Sequence, residues 1–266
     1  MSTLVVIPAR YASQRFPGKP LQPLVGATGV EKTLIERSWD AAQKIAPDVR
    51  VVVATDDQRI ADAVSRFGGE VAMTPESCKN GSERTAAALE VVGGTWEFVV
   101  NFQGDAPLVP PWFVTDLTAQ MTQRPEISMA TPVLRTEPEA LQGFIDDRAA
   151  GRVGGTTAVF GAAGQALYFS KEVLPYTGRS YSPGETTPVF HHVGLYVFRP
   201  AALEAYLSWD VGPLEALEGL EQLRFLENGH PVHCIEVDAQ GRAFWELNNP
   251  VDVARIEEIL RAQGME

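Results

Sequence analysis

The chain has 266 residues, with 22 Lys and Arg against 34 Asp and Glu, which gives a formal net charge of −12 and a pI near 4.9. This acidic balance argues against a broad nucleic-acid-binding surface, because binding to a phosphate backbone depends on clustered cations. Hydrophobic residues make up 45% and charged residues 21%, which excludes a disordered chain and indicates a globular protein with a sizeable core.

The sequence gives no sign of a membrane-spanning segment. The first apolar run covers residues 4–7, and no other unbroken run approaches the roughly 18 residues that span a bilayer. We therefore expect a cytoplasmic protein. Cys78 and Cys234 lie far apart without the paired spacing of zinc sites or disulfide frameworks, so we expect neither to take part in function.

In the first half of the chain, apolar β-branched runs alternate with segments of helical periodicity, a pattern typical of βαβ units and a mostly parallel sheet. The predicted elements, in chain order, are a strand at 4–7, a helix at 33–45, a strand at 51–54, a helix at 59–67 capped by Asp57 and ended by Gly68 and Gly69, a strand at 70–73, a helix at 83–92 and a strand at 96–102. The last strand is apolar enough to be a central parallel strand.

The second half of the chain has a less regular pattern. Its predicted elements are strands at 127–134 and 157–160 separated by a charged, Gly-rich stretch at 146–155, a strand at 165–169, a polar loop at 181–188, a strand at 193–198, a helix at 201–207, one helix with Leu214, Leu217, Leu220 and Leu223 on one face that ends at Asn228 and Gly229, a strand at 232–237 and a helix after Pro250.

The loop after the first strand carries three cations within ten residues. Arg10, Arg15 and Lys19 form a positive island in an acidic protein. A triphosphate suits such a set, because Arg offers a bidentate fork and Lys a mobile charge, while Ser13 and Gly18 let the backbone approach an anion. The loop has neither the Walker-type nor the dinucleotide-binding glycine pattern. The alternative is a solvated surface turn with scattered charges, which composition alone favours.

Several motifs together resemble a known family. The opening VVIPARYASQRFPGKPL is followed by ATDD at 54–57, NGSER at 80–84, NFQGDAP at 101–107, ALYFSK at 166–171, HHVGLY at 191–196 and PLEALEGLEQLRFLENG at 213–229. This series is similar to the cytidylyltransferases that activate acidic sugars, most closely the 3-deoxy-manno-octulosonate (KDO) cytidylyltransferase family, over nearly the whole chain. The resemblance favours the phosphate-binding interpretation of the loop.

The resemblance implies an enzyme that transfers CMP from CTP to the anomeric hydroxyl of KDO, or of a close 3-deoxy-2-ulosonic acid, and releases pyrophosphate. The product would be the activated sugar used in lipopolysaccharide assembly. The implied α/β fold has a Rossmann-type core like that of nucleotide-diphospho-sugar transferases, a mostly parallel sheet and a smaller lobe for sugar binding and dimerisation. We expect one domain over residues 1–266, with the core at about 1–135 and 211–266, the smaller lobe at about 136–210, and a homodimer.

The resemblance also assigns the residues that contact the nucleotide. The candidate nucleotide-binding residues are Pro8, Ala9, Arg10, Ser13, Arg15, Lys19 and Gln103. The candidate catalytic residues are Arg10, Lys19 and Asp105. Arg10, Arg15 and Lys19 would stabilise the charge that moves onto the pyrophosphate leaving group, which is an electrostatic and positioning task.

Asp105 follows the predicted strand at 96–102, and open α/β sheets build their sites at the carboxyl ends of strands. By itself such an Asp can equally cap the next turn, but the resemblance makes it the expected ligand of Mg²⁺, which prefers oxygen ligands. At the second metal position, Asn248 stands where relatives carry Asp, so it offers a carbonyl oxygen without the charge. Glu246 and Asp252 are the candidates to compensate, although Asp252 is also typical of a first-turn helix acid.

The acceptor sugar carries a carboxylate and hydroxyls, so its pocket needs cations and hydrogen-bonding side chains. The candidate sugar-binding residues implied by the resemblance are Arg84, Gln103, His192, Tyr196, Glu221 and Gln222. From the residues alone, His192 is equally a packed strand histidine. Glu221 and Gln222, on an otherwise Leu-faced helix, would ordinarily belong to a solvated face.

Two departures from the family pattern keep alternatives open. Relatives usually carry Glu at the position of Ala106, and Asn248 lacks the expected charge. The chain could therefore use another acidic acceptor, such as an amino-KDO, a sialic-acid-like sugar or a phosphonate, or it could be a non-catalytic nucleotide-binding relative. The presence of Arg10, Lys19 and Asp105 favours catalysis.

Overall fold

The computed structural model describes residues 2–12, 16–153, 155–243, 245–247 and 249–266. The strands are β1 Thr3–Ala9, β2 Pro23–Val25, β3 Glu31–Thr33, β4 Val49–Thr55, β5 Val71–Met73, β6 Phe98–Phe102, β7 Met129–Arg135, β8 Thr157–Phe160, β9 Ala166–Ser170, β10 Phe190–His192, β11 Leu195–Phe198 and β12 His233–Glu236. The helices are α1 Leu34–Ala42, α2 Gln58–Arg66, α3 Gly81–Val92, α4 Trp112–Gln123, α5 Pro138–Ala149, α6 Pro200–Leu207, α7 Pro213–Glu218, α8 Leu223–Glu227 and α9 Asp252–Ala262, and a 3-10 turn covers Lys19–Leu21.

One large sheet runs through the molecule in the order β5-β4-β1-β6-β11-β7-β10-β8-β9. β11 and β10 pair with the earlier and later parts of one edge of β7, and β12 pairs with the opposite edge of β7. The pairs β5-β4, β4-β1, β1-β6 and β7-β12 are parallel. Strands β9, β10 and β11 run against the direction of the others. The predicted α/β fold with a mostly parallel central sheet is therefore confirmed.

Helices cover both faces of this sheet, because alternate residues of its central strands are apolar on either side. Val5 and Ile7 of β1 join the apolar cluster under α1, α2 and α4, whereas Leu4 and Val6 join the cluster under α3, α6 and α8. Both faces of β1 are thus buried, which is the expected pattern of a central parallel strand. Because both faces of β1 are covered, only the carboxyl end of the strand can contribute to a site.

The strand expected at 193–198 is β11, which begins at Leu195, and a second strand that was not predicted, β10, precedes it. β10 pairs with the later half of β7 and with β8, whereas β11 pairs with the earlier half of β7 and with β6. Val193 and Gly194 form the break between them. The chain changes neighbours at this break, and His192 and Tyr196 lie on either side of it.

The helix expected through the four leucines to Asn228 is wrong in one respect. The structure has two helices, α7 and α8, because Gly219 adopts φ +64° and ends α7 as a left-handed cap. The apolar spacing continues across the break, so periodicity alone did not reveal it. The break turns the segment 219–222 towards the sheet.

Two helices were not predicted. α5 runs into the stretch that was expected to be an irregular Gly-rich segment. Of its residues only Leu141 is buried, and a helix with so small a buried face shows little apolar periodicity in its sequence. α4 does bury a regular face with Phe113, Leu117 and Met121, following Pro110 and Pro111. Within the described residues, no helix combines the length and the apolar character needed to cross a membrane.

The division into a core and a smaller lobe stays a prediction. β8, β9, β10 and α5 come from the segment expected to form the lobe, 136–210. However, β11 and α6 come from the same segment, and β11 lies between β6 and β7 in the central sheet. The sheet therefore runs on across the expected boundary.

We expect Gly219→Ala to lower the free energy of unfolding by about 1 kcal/mol, because an L-residue is strained at φ +64°. Gly143→Ala is the matched control: Gly143 lies inside α5 with open space around its Cα, so Ala there should stabilise by about 0.5–1 kcal/mol. Urea unfolding of the three proteins measures both changes. Equal effects in the same direction would contradict the left-handed cap.

Candidate active site

The site is built where β1 and β6 end side by side. Gly104 follows β6, and a Cβ placed on it would lie 2.9 Å from the carbonyl oxygen of Pro8. No side chain fits at that distance, so glycine is what allows the two chain segments to touch. The contact brings Pro8 and Ala9, at the end of β1, beside Gln103 and Asp105.

Lys19 and Asp105 form an ion pair at this edge of the sheet. Lys19 Nζ lies 2.7 Å from Asp105 Oδ2, and the two side chains are 16% and 22% exposed. Asp105 Oδ1 is buried and has no hydrogen-bond partner among the described residues. Lys19 is carried by the 3-10 turn, whereas Arg10, just after β1, is exposed. Two of the predicted catalytic groups are therefore in direct contact.

The cationic loop is closed by its own backbone. The amide of Gly18 donates to the carbonyl oxygen of Tyr11 at 2.9 Å, and Gly18 has φ +74°. The Tyr11 ring lies under the Arg59 guanidinium, whose carbon is 3.3 Å from the ring centroid. These contacts fix where the loop leaves and rejoins the fold. The predicted nucleotide-binding residues Ser13 and Arg15 lie outside the described residues.

Glu221 points inwards from the turn between α7 and α8 and is not part of a solvated helix face. Its Oε2 accepts the amide of Ser82 at 2.8 Å, and its Oε1 accepts Gln103 Nε2 at 3.1 Å and Asn101 Nδ2 at 3.4 Å. Burial raises the pKa of the carboxyl group to about 7, against the lowering effect of the hydrogen bonds from Ser82. Glu221 therefore joins the turn, the start of α3 and the end of β6.

Tyr196 and Gln222 lie beside Glu221 and Gln103, and these four side chains are called the pocket below. The Tyr196 hydroxyl donates to Gln222 Oε1 at 3.0 Å, and burial raises the pKa of this tyrosine. Gln222 Nε2 is buried without a hydrogen-bond partner among the described residues. Because Glu221 and Gln222 are consecutive, the structure brings them together with Gln103 and Tyr196, as the resemblance implied.

His192 is packed within the sheet. Its Nε2 lies 2.8 Å from Thr131 Oγ1, and its ring centroid is 4.9 Å from that of Phe169 and 5.6 Å from that of Tyr196. Burial, with a smaller contribution from His191, lowers the pKa of His192 to about 3, so it is neutral at physiological pH. It touches the pocket through the Tyr196 ring.

Arg84 faces a different set of partners. This side chain is 3% exposed, and its Nη1 donates to Thr74 Oγ1 at 2.7 Å while Nη2 lies 3.4 Å from Asp56 Oδ2. Asp56 comes directly after β4, which neighbours β1 in the sheet. The structure thus places the Arg84 guanidinium beside the carboxyl end of β4, in an internal ion pair with Asp56.

Several residues of the site were not singled out from the sequence. Asn101 interrupts the apolar run of β6, and this polar residue in a buried strand was the available signal. Asp56 belongs to the ATDD motif, in which only its neighbour Asp57 was noted, as a helix cap; the structure confirms that cap, since Asp57 Oδ1 accepts the amide of Arg59 at 2.9 Å. The backbone amide of Ser82 carries no side-chain signal at all.

The segment before α9 lies against the metal candidate. The amide of Leu247 donates to the carbonyl oxygen of Asp105 at 2.9 Å, and the predicted ligand Asn248 follows it outside the described residues. Glu246 lies near Gln103, since a Cβ on Gly194 would be 3.3 Å from Glu246 Oε1 and 3.6 Å from Gln103 Cδ.

Asp252 holds the turn that starts α9. It accepts Trp245 Nε1 at 3.1 Å and the amide of Asn249 at 2.6 Å, as its interpretation as a helix acid implied. In the described part of the chain, no group of three or more His, Cys, Asp or Glu side chains gathers as a metal cage. Mg²⁺ usually takes one or two carboxylates plus substrate phosphates, so the buried Asp105 Oδ1 fits it without such a cage.

We expect the raised pKa of Glu221 to make stability depend on pH. Because its folded-state pKa of about 7 is above the ordinary 4.5, protonation favours the folded state. The free energy of unfolding therefore falls as pH rises from about 5 to about 8. Gln does not titrate, so the free energy of unfolding of Glu221→Gln should fall by about 2 kcal/mol less than that of the wild type over this range. This difference allows for the partial exposure of the side chain, which weakens the effect of the pKa shift.

Urea unfolding at several pH values tests this expectation. Glu236→Gln serves as control, because the Glu236 side chain is 48% exposed and pairs with Arg135 at the surface. If the free energies of unfolding of the wild type and Glu221→Gln changed in parallel with pH, folding would not raise the pKa of Glu221.

Known cytidylyltransferases are similar to this chain over most of its length. A family model described as "Cytidylyltransferase" matches residues 4–236. The chain is 44% identical over 264 residues to the 3-deoxy-manno-octulosonate cytidylyltransferase of Maricaulis maris, covering 99% of both proteins. It is 37% identical over 256 residues to the enzyme of the same name from Chlamydia pneumoniae, covering 96% of this chain and 92% of that one.

Solved structures give the same result. The structure of CMP:2-keto-3-deoxy-manno-octonic acid synthetase in complex with CTP has a TM-score of 0.82 and 30% identity, with both chains fully covered. The 4-diphosphocytidyl-2C-methyl-D-erythritol synthase of Anaerococcus prevotii shares the fold at a TM-score of 0.58 and 11% identity. With a family model matched over most of its length and relatives similar from end to end, this chain belongs to the cytidylyltransferase family, as its motifs predicted.

Proposed function

We propose that this chain transfers CMP from CTP to the anomeric hydroxyl of KDO and releases pyrophosphate. The observation that carries the proposal is one edge of the sheet at which the Lys19–Asp105 pair lies next to the polar pocket around Gln103 and Glu221. Such an edge can hold an anionic nucleotide and a hydroxyl-rich acceptor side by side. The relatives named for this reaction are similar along the whole chain.

On the nucleotide side, the chain supplies cations and backbone. Lys19 and Arg10 bind the triphosphate, together with Arg15, and stabilise the charge that develops on the pyrophosphate leaving group. Pro8 and Ala9 bring the end of β1 close to the nucleotide, a contact that depends on the same close packing as Gly104 against Pro8. Arg84 acts on this side through its ion pair with Asp56, which supports the strand end beneath the nucleotide.

On the acceptor side, the chain supplies hydrogen-bonding groups. Gln103 and Glu221 bind acceptor hydroxyls, and the Tyr196–Gln222 pair binds along the adjacent wall. Neutral His192 packs behind Tyr196 and keeps its ring in place. Two substrates held in this way react as if in one molecule, which is a large part of what an enzyme can contribute to such a transfer.

We propose Mg²⁺ as the cofactor, held by Asp105 and, through its carbonyl oxygen, by Asn248. When bound, the ion would neutralise phosphate charge and polarise the phosphoryl group. The buried Asp105 Oδ1 supports the first of these ligands. Asn248 contributes no negative charge, so the second ligand adds less to metal affinity than Asp would.

We also propose that the protein is a homodimer of the cytoplasm that acts in lipopolysaccharide assembly. Exposed apolar side chains outside the pocket support self-association, among them Leu167 at 67% and Leu217 at 83% exposure. Sedimentation at micromolar concentration should give about twice the chain mass of 28.9 kDa. A monomer at that concentration would remove the dimer from the proposal.

A second candidate acceptor is an amino-KDO. Glu246 lies near Gln103, on which Glu221 also converges, so two carboxylates approach the same part of the pocket. Nearby carboxylates attract an ammonium group, which KDO lacks and an amino sugar has. Ala106, buried where relatives usually carry Glu, is a further difference from the pattern.

We expect pyrophosphate release from CTP to depend on an acidic sugar, with KDO as the preferred acceptor. A panel of KDO, an 8-amino derivative, sialic acid and a simple phosphonate, each with CTP or ATP, identifies the acceptor and the base. ATP should support less than about a tenth of the rate with CTP, because a pocket shaped for cytosine excludes a purine. Equal use of ATP would contradict the assignment, and a preference for the amino sugar would select the second candidate.

We expect Asp105→Asn to lower turnover by about 100-fold or more while leaving the fold intact. Asn keeps an oxygen that can accept from Lys19 but lacks the charge for a metal ion. Asp62→Asn is the matched control, because Asp62 lies exposed on α2. Steady-state rates and thermal midpoints of the three proteins test this, and near-normal turnover with unchanged metal dependence would remove Asp105 from the catalytic residues.

A further inference from the structure

The acceptor pocket depends on a short turn that has little structure of its own. Residues 219–222 connect α7 to α8, and they carry Glu221 and Gln222 into the pocket. The helices on either side are short: α7 has 6 residues and α8 has 5. Helices of this length are not stable by themselves, so contacts from elsewhere must fix the turn.

Arg224, two residues after this turn, makes several of those contacts. Its Nε and Nη2 donate to the two oxygens of Glu215 on α7 at 2.6 and 2.7 Å, a bidentate pair. The Arg224 side chain is 3% exposed and its guanidinium carbon lies 4.1 Å from the Tyr206 ring centroid. The fork closes the α7–α8 hairpin from inside the fold.

The same guanidinium also reaches α3. Arg224 Nη2 donates to Glu83 Oε1 at 3.1 Å, in the first turn of that helix. Asn80 caps the helix, because its side-chain oxygen accepts the amide of Glu83 at 2.8 Å, and its Nδ2 donates to the Tyr206 hydroxyl at 2.7 Å. One buried cation thus ties α7, α8 and the start of α3 together.

The start of α3 is also where Glu221 binds. Ser82, next to Glu83, donates its amide to Glu221 Oε2, so the turn is held to α3 once by Glu221 itself and once by Arg224. Glu227 holds the other end of the hairpin, where it accepts the amides of Leu214 and Glu215 at 2.7 and 3.0 Å. Glu215 is therefore held by Glu227 through its amide and by Arg224 through its carboxylate, and Arg224 connects it to α3 beside the pocket.

We propose that Arg224 is a positioning residue for the acceptor: it sets the place of Glu221 and Gln222 through its ion pairs with Glu215 and Glu83. The inference rests on the proposed acceptor pocket and goes beyond it, because Arg224 itself lies behind the pocket. A shift of the turn by a fraction of an ångström would misplace both hydrogen-bonding groups together. The cations proposed to bind the triphosphate lie just after β1 and on the 3-10 turn, and the hydrogen bonds described for Glu221, Gln222 and Arg224 reach neither.

Arg224→Lys tests this proposal, because Lys keeps the charge but cannot form the fork to Glu215. We expect the KM for the acceptor sugar that the wild type prefers to rise by about tenfold or more, while the KM for CTP and the Kd for CTP change by less than about twofold. Glu215→Gln, which removes one charge from the pair, should shift the same constant in the same direction by a smaller factor. If Arg224→Lys does not fold, Glu215→Gln still tests the proposal.

Arg50→Lys is the matched control. Arg50 makes a bidentate pair with Glu70 at the surface, at the amino end of β4 and away from the site, so its replacement should leave all kinetic constants unchanged. A rise in the KM for CTP equal to that for the sugar in Arg224→Lys would indicate general loosening of the fold and overturn the proposal. An unchanged KM for the sugar would overturn it as well.

Hydrogen–deuterium exchange gives a readout that needs no turnover. In Arg224→Lys, amides of residues 219–224 should exchange faster than in the wild type, whereas those of β1 and β6 should keep their rates. Unchanged exchange at 219–224 would overturn the proposal. If the wild type used no acidic sugar, the proposed function would fail in the activity assay, while exchange would still report whether Arg224 holds the turn.

Discussion

The site depends on the close approach of two strand ends. Gly104 lies against the carbonyl oxygen of Pro8 at a distance that admits no Cβ, and Ser38 Oγ donates to the Gly104 carbonyl at 3.1 Å from the helix side. This packing fixes Asp105 relative to the loop that carries Lys19. Without this packing, the ion pair at the edge of the sheet would not be held in a fixed position relative to the pocket beside it.

The pocket is held together by buried polar groups that share hydrogen bonds. Glu221 accepts from the backbone of Ser82 and from two amide side chains, and Arg224 is shared between two carboxylates. In a low-dielectric interior such groups are costly unless they are paired, so each of them limits where the others can lie. The raised pKa of Glu221 is the sign of that cost.

The sequence was sufficient to predict the elements with regular apolar spacing. β1, β4 and β8 lie where the apolar runs placed them, and the motifs predicted the family that the comparisons confirm. The site residues Lys19, Asp105, Gln103, Tyr196, Glu221 and Gln222 were named from the resemblance, and the structure brings them to one edge.

What the sequence could not give depends on contacts between distant segments. The left-handed residue at Gly219 follows from packing of the turn, not from spacing, and α5 has too little buried face to show a period. The partners of Arg84 are Asp56 and Thr74, which are 28 and 10 positions away in sequence (84 − 56 and 84 − 74). No local pattern encodes such pairings, since long-range packing decides them.

The break at Val193 and Gly194 has a consequence for how this enzyme can evolve. His192 and Tyr196 stand on either side of the point where β10 ends and β11 begins with a different set of neighbours. An insertion or substitution at this point can reshape one wall of the pocket without altering the register of β1 and β6. Under the proposed function, such a change would alter the fit of the acceptor and leave the nucleotide-binding edge as it is.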